Sequence, residues 1–256
     1  MCTVVILRRP GHAWPLLLAA NRDEMKDRPW QPPARHWPDR PQVMAGLDEL
    51  AGGTWLGLND DGLAAGVLNR RGSLGPELEK RSRGELVLEA LDHADAGTAA
   101  MALADLDPAA YRTFNLVVAD GRAAYWLRSL GDEGPGCVEV FPLPPGLSML
   151  TAGDLDDPTS PRIRNHLPRF QAAQQPEPET GDWRAWQEIL ASRVYDMADG
   201  PFAAMSVATG MGFETVSSSL IALPGRMADP GGSQRRPVWL FAPGRPDITP
   251  YQSITM

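Results

Sequence analysis

The chain has 256 residues, 43% of them hydrophobic and 22% charged, enough for one substantial hydrophobic core or two smaller ones. Its 25 glycines and 25 prolines make it loop-rich but leave it below the roughly 25–30% of low-complexity disorder. The 32 acidic and 24 basic residues give a net charge of −8, which argues against a nucleic-acid partner, since that needs a positive field.

Thr3–Leu7 is a β-branched run suited to a buried strand, and Leu16–Ala20 is a second apolar run. Pro10-Gly11 between them marks the turn of an antiparallel hairpin. Arg8, Arg9, Pro10 and Pro15 interrupt this opening, so it is neither a signal-peptide core nor the roughly 20 apolar residues of a membrane span. The two cysteines, Cys2 and Cys137, are too few for a disulfide framework, which points to a reducing, cytoplasmic setting.

A second hairpin is predicted over Gly53–Leu58 and Leu63–Asn69, turning at Asn59-Asp60-Asp61-Gly62. A third pairs Phe114–Ala119 with Arg122–Leu127 around a two-residue Asp120-Gly121 loop, the strongest short hairpin signal. Helices are predicted between these blocks. Ser82-Arg83-Gly84-Glu85 fits a capping box before Leu86, Val87, Ala90 and Leu91. Ser160-Pro161 opens a helix with Ile163, Leu167 and Phe170 on one face. Asp182 can cap a third, with Trp183, Trp186, Ile189, Leu190, Val194 and Met197 on its buried side. Strands resume at Val216–Leu223 and Val238–Ala242, and Cys137 reads as an ordinary strand residue. Hairpins dominate and helices do not follow each strand, so an α+β layered single domain over residues 1–256 is expected rather than a doubly wound parallel sheet.

Cys2 stands out because removal of Met1 would place a thiol and a free α-amine on one residue. With reference pKa values of roughly 8.5 and 7.7–8, that residue can supply both nucleophile and base near neutral pH. If the first hairpin turns at Gly11-His12, cross-strand partners have numbers summing to about 23–24, which sets Cys2 opposite Asn21 and Arg22 with Asp23 beside the amine. A one-residue slip would exchange the faces, and a solvated polar turn after the strand is the competing reading of Asn21–Glu24. Centring the second hairpin between Asp60 and Asp61 pairs Asn69 with Gly52, beside Gly53. An amide next to glycine N–H groups can form an oxyanion hole, although taken alone the pattern is better accounted for by an Asn ending a strand and glycines relieving crowding.

Together, Met1-Cys2-Thr3, Asn21-Arg22-Asp23-Glu24, Gly52-Gly53-Thr54-Trp55-Leu56-Gly57, Leu68-Asn69-Arg70, Arg81-Ser82-Arg83-Gly84 and Phe114-Asn115-Leu116 resemble the NRDE family, also called the transport and Golgi organisation protein 2 family. The likeness is dense over residues 1 to about 130 and continues weakly to about 225. It implies the four-layer αββα sandwich of the N-terminal nucleophile hydrolases. The Asn59–Leu63 block followed by Leu68-Asn69 also resembles the choloylglycine and penicillin V acylase branch. By that resemblance Cys2 is the nucleophile and Asn69 an oxyanion donor. Arg22 and Asp23 fall near the branch's Arg and Asp, and Asn21, Glu24, Gly53 and Trp55 join the binding residues. Arg22 and Asp23 are adjacent here, where the branch spaces them by two residues. Leu150-Thr151-Ala152-Gly153-Asp154 replaces a usual Ser-Asn pair, and Val216 precedes Ser217-Ser218-Ser219 where an Arg is frequent.

His12, His36, His93 and His166 lack metal-ligand spacing, and the chain carries no Gly-rich phosphate loop, so neither a metal nor another cofactor is expected. Asp154, Asp156 and Asp157 read as a solvated acidic loop. Two functional readings follow. One is a cysteine amidohydrolase acting on a small acyl amide or related acyl compound. The other is a non-catalytic carrier or chaperone for haem or an acyl-lipid in the same cleft, which the wider family's association with haem trafficking and acyl-lipid metabolism implies.

Overall fold

The computed structural model describes residues 2–131, 134–225 and 235–256, so Met1 lies outside the described residues. The chain divides into two compact units, Met1–Arg28 with Pro145–Thr255, and Pro29–Pro144 with Met256.

The first unit is built on a six-stranded sheet. In chain order its strands are β1 (Thr3–Arg8) and β2 (Leu16–Met25), then β10 (Gly146–Leu150), β11 (Phe213–Leu223), β12 (Val238–Ala242) and β13 (Gln252–Ser253). Their spatial order is β10-β1-β2-β11-β12-β13. The expected first hairpin forms, with Thr3 opposite Asn21 and Arg8 opposite Leu16. The second strand runs further than its apolar core predicts, to Met25, so Asn21, Arg22 and Asp23 are buried strand residues and not a solvated turn. Next to them β11 carries a bulge. Thr215 faces Asp23 and Ser217 faces Arg22, which leaves Val216 as the extra residue.

Two helices, α3 (Pro161–Ala172) and α4 (Arg184–Leu190), cover one face of this sheet, where Ile163, Phe170, Trp183, Trp186 and Leu190 pack on Val5, Leu7, Leu17, Ala19 and Leu220. Ser160 and Pro161 begin α3 as predicted, with Pro in the first turn. The third predicted helix is shorter than its pattern. It ends at Leu190, and Val194 and Met197, expected on its buried side, are exposed beyond it.

The second unit is a seven-stranded antiparallel meander in the order β3-β4-β5-β6-β7-β8-β9. These strands are β3 (Trp30–Ala34), β4 (Val43–Asp48), β5 (Leu56–Asn59), β6 (Ala64–Asn69), β7 (Phe114–Ala119), β8 (Ala124–Ser129) and β9 (Glu139–Pro142). Helices α1 (Gly84–Leu91) and α2 (Ala96–Ala104) pack Leu86, Val87, Ala90, Ala99 and Leu103 against Val43, Ala45, Leu63, Ala65 and Leu116. No capping box forms at α1. The Ser82 hydroxyl accepts from the Gly84 N–H, while Glu85 is taken by Arg81. Cys137 lies exposed in the bend before β9 and not in a strand.

Both predicted hairpin registers in this unit shift. At the second hairpin Leu56 faces Gly66 and Leu58 faces Ala64, one residue from the expected register, so continuing the ladder directs Asn69 toward Gly53 rather than Gly52. The cause is Asn59. Its amide donates to the carbonyls of Leu91 and His93 and its oxygen accepts from the Leu63 N–H, locking the turn to the end of α1. At the third hairpin Ala119 faces Ala124. The loop therefore has four residues, and the Asp120 carboxylate accepts the N–H groups of Arg122 and Ala123 in place of a two-residue turn.

Gly53 and Gly84 explain two of the sequence motifs together. A Cβ on Gly53 would lie 2.6 Å from the Gly84 carbonyl carbon, and the Thr54 N–H donates to the Gly84 carbonyl at 3.2 Å. The two backbones touch where α1 begins. We expect Gly53→Ala to destabilise the protein by about 1–3 kcal/mol through this overpacking, read as a lower urea midpoint with an unchanged m-value.

Candidate functional site

Cys2 precedes β1, a central strand flanked by β10 and β2. Its thiol donates to the Asp23 carbonyl at 3.8 Å. Cys2 is a free, partly exposed cysteine. Burial is the main influence on its thiol and pushes the pKa up. The positive chain terminus and Arg22 oppose that, while the negative charge of Asp23 adds to it.

Alternation along the strands divides the other predicted residues. Thr3, Asn21 and Asp23 turn toward the helix-covered face, as their partners there show; Arg22, and Cys2 with it, belong to the opposite face. On the helix side the Asn21 amide donates to the carbonyls of Leu190 and Met205 at 3.0 and 2.9 Å, and its oxygen accepts from the Ser218 hydroxyl. Asn21 thus fastens the segment after α4 to the sheet. Glu24 faces its own loop, accepting from the Met25 N–H and lying 3.9 Å from Arg28.

The Asp23 carboxylate is held at both of its oxygens. Oδ2 pairs with Arg162 Nη1 at 2.7 Å, and both side chains are almost completely buried. Oδ1 accepts from the Thr215 hydroxyl at 2.6 Å, which the Val216 bulge leaves directly opposite Asp23. Arg162 Nη1 also donates to the Thr3 hydroxyl at 2.7 Å, and its Nε and Nη2 donate to the Phe202 carbonyl. Removing either partner of such a pair strands a charge in the interior, at a cost of roughly 3–5 kcal/mol. Arg162 was not among the residues expected from sequence. Arginine is rarely buried without a partner, and this partner is 139 residues away.

In the second unit Asn69 ends β6, partly exposed, and among the described residues its amide makes no hydrogen bond. Arg70 donates to Asn115 Oδ1 at 2.7 Å, and the Trp126 indole donates to the same oxygen. Arg83 donates to Ser73 and to the Thr113 carbonyl, which ties the turn after Asn69 to β7 and α1. Gly53 serves the backbone contact with Gly84, and Trp55 lies over Gly46 with its ring edge-on to Trp30 at 5.7 Å.

The acidic loop is spent on its own shape. Asp156 accepts the Met149 N–H, and Asp157 accepts from Thr159. No group of three or more His, Cys, Asp or Glu suited to a metal occurs among the described residues. None of their helices is long and apolar enough to cross a membrane.

Solved structures share this architecture. A Caenorhabditis elegans N-acylethanolamine-hydrolyzing acid amidase ortholog matches at a TM-score of 0.55 and 14% identity over 86% of this chain and 92% of that one. Penicillin V acylase from Agrobacterium tumefaciens gives 0.51 and 15% over 94% and 83%. The C2A mutant of conjugated bile acid hydrolase from Clostridium perfringens gives 0.51 and 12% over 100% and 97%. The fold is that of the N-terminal nucleophile hydrolases. The sequence signature of the Transport and Golgi organisation 2 family matches residues 1–199, and the chain belongs to that family. The Bos taurus and Homo sapiens Transport and Golgi organization protein 2 homologs are 37% and 36% identical over 114 residues, 43% of this chain. The match spans 40% of the length of those relatives.

One turn along α3 from Arg162, the buried His166 accepts from Arg169 at Nδ1 and donates to the Ala203 carbonyl from Nε2. Burial, with Arg169 and Arg162 nearby, holds its pKa down at about 4. The folded state therefore prefers neutral His166. Its contribution is complete above the ordinary histidine pKa of about 6.5 and is lost as pH falls from there toward 4, a loss of about 3 kcal/mol. Urea unfolding at pH 7 and pH 4.5 should show a larger drop for the wild type than for His166→Gln.

Proposed function

We propose that the protein is an N-terminal cysteine amidohydrolase that cleaves an acyl amide, with Cys2 as nucleophile once Met1 is removed. The observation that carries this reading is Cys2 itself: a free thiol on the partly exposed second residue, leading into a central strand of an N-terminal nucleophile hydrolase fold. The solved proteins of like fold include an acid amidase, an acylase and a conjugate hydrolase by name, which supports amide cleavage as the reaction class.

Burial opposes a free thiolate at Cys2, so the thiol needs a base as it attacks. The α-amine of the processed chain is that base. It takes the thiol proton while sulfur bonds to the acyl carbon. The tetrahedral intermediate then collapses, the C–N bond breaks, and the same ammonium returns a proton to the leaving amine. Water, deprotonated by the amine, attacks the thioester and releases the carboxylic acid and the free thiol. The oxyanion would be stabilised by an amide donor, a role that the family resemblance assigns to Asn69.

The test is an acid-quenched intact-mass measurement during turnover of a panel of N-acyl amides. The expected result is a chain beginning at Cys2 that carries one acyl group. Cys2→Ala should abolish both adduct and hydrolysis, and Asn69→Ala should lower kcat by roughly 10²–10³-fold. Met1 retained on the active protein would overturn the proposal. So would binding of haem or an acyl-lipid that survives Cys2→Ala when the wild type forms no adduct, because that is the behaviour of a carrier.

A further inference from the structure

Behind the nucleophile, on the helix-covered face of the sheet, lies the buried cation that neither the sequence motifs nor the family resemblance assigns. We propose that Arg162 is a positioning residue for Cys2: through Nη1 it clamps the residue that follows the nucleophile, Thr3, to the carboxylate beside it, Asp23, and opposes that carboxylate's charge. This rests on Cys2 being the nucleophile.

The geometry is specific. One nitrogen reaches both the Thr3 hydroxyl and Asp23 Oδ2 at 2.7 Å, while the opposite edge of the guanidinium is held by the Phe202 carbonyl at 3.2 and 2.8 Å. The fork is thus anchored on one side and bridges two strands on the other. Thr3 belongs to β1 and Asp23 to β2, so the bridge spans the two strands at the end where Cys2 sits. Thr215 reaches the second carboxylate oxygen from β11, so Asp23 is gripped from two elements, α3 and β11, and its carbonyl stays in place for the thiol.

The groups that act directly on the thiol are the chain terminus, Asp23 and Arg22. Of the elements packed at this end, α3 contributes Arg162 and His166, and His166 stays neutral above about pH 4. On β11, Glu214 is opposite Glu24 and lies 3.7 Å from Arg245. After β10, Asp156 is turned to the Met149 N–H. An Asp23 without Arg162 would place an uncompensated negative charge beside the thiol and the amine, and both would hold their protons to higher pH. An Arg162 without Asp23 would do the reverse.

The test measures the pH dependence of Cys2 alkylation by iodoacetamide in the full chain. A Cys137→Ser background removes the exposed second thiol, and intact mass records the amino terminus. The midpoint of the profile should rise by about half a pH unit in Arg162→Gln and fall by about as much in Asp23→Asn. It should return to the wild-type value in the double variant, and Arg162→Lys should lie near the wild type. A purely structural brace would not produce opposite shifts that cancel. Unchanged midpoints in folded Arg162→Gln or Asp23→Asn would overturn the proposal. If Arg162→Gln does not fold, the direction of the Asp23→Asn shift decides. Alkylation needs no substrate turnover, so a protein that shows these shifts but hydrolyses no amide would refute the amidase reading alone.

Discussion

The ion pair between Asp23 and Arg162 is the interaction on which the rest of the first unit's site depends. Two nearly inaccessible charges are tolerable when each is hydrogen-bonded on its remaining edges. Here the carboxylate has Thr215 as well as Arg162, and the guanidinium has Thr3 and Phe202 as well as Asp23. The strand end beneath Cys2 is therefore held by polar contacts of fixed direction. Asn21 extends the same device to the next position on that face of β2, with its amide closing the carbonyl of Leu190 at the end of α4 and that of Met205 beyond it. An apolar layer at these positions would fill space equally well but would leave the register of β1, β2 and β11 to side-chain volume alone.

The second unit solves a related problem with glycine and arginine. Gly53 and Gly84 let two backbones touch, Gly57 lets α1 settle on β5, and Arg70 and Arg83 bind the turn after Asn69 to its neighbours. Asn69 is left as a strand-end amide on a rigid support.

How much of this could be read beforehand depended on the range of the contact. The first hairpin's register followed from centring its turn near Gly11-His12, which the pairing of Thr3 with Asn21 and Arg8 with Leu16 matches. The start of α3 followed from Ser160-Pro161. The second hairpin slipped by one residue because Asn59 answers to the end of α1, over thirty positions away. The third slipped by two, which kept every side chain on its predicted face, because an Asp carboxylate organised a longer loop. Val194 and Met197 matched a helical period in a segment that had already left the helix. Arg162 was invisible for a stronger reason. Its neighbours Ile163 and Phe170 signal a buried face, but an arginine on such a face reads as solvent-exposed until its partner is known.

The sequence separations within the Asp23 cluster also bear on the order of assembly. The β1-β2 hairpin is local and can form as soon as about twenty-five residues are available, whereas the groups that satisfy Asp23 come 139 and 192 positions later. Throughout most of synthesis the carboxylate must be solvated by water. Contacts of such length are closed late because their loop entropy is met last. The nascent chain thus carries Cys2 and Asp23 long before Arg162 and Thr215 exist, and the cluster closes only once the late strands of the first sheet have been made.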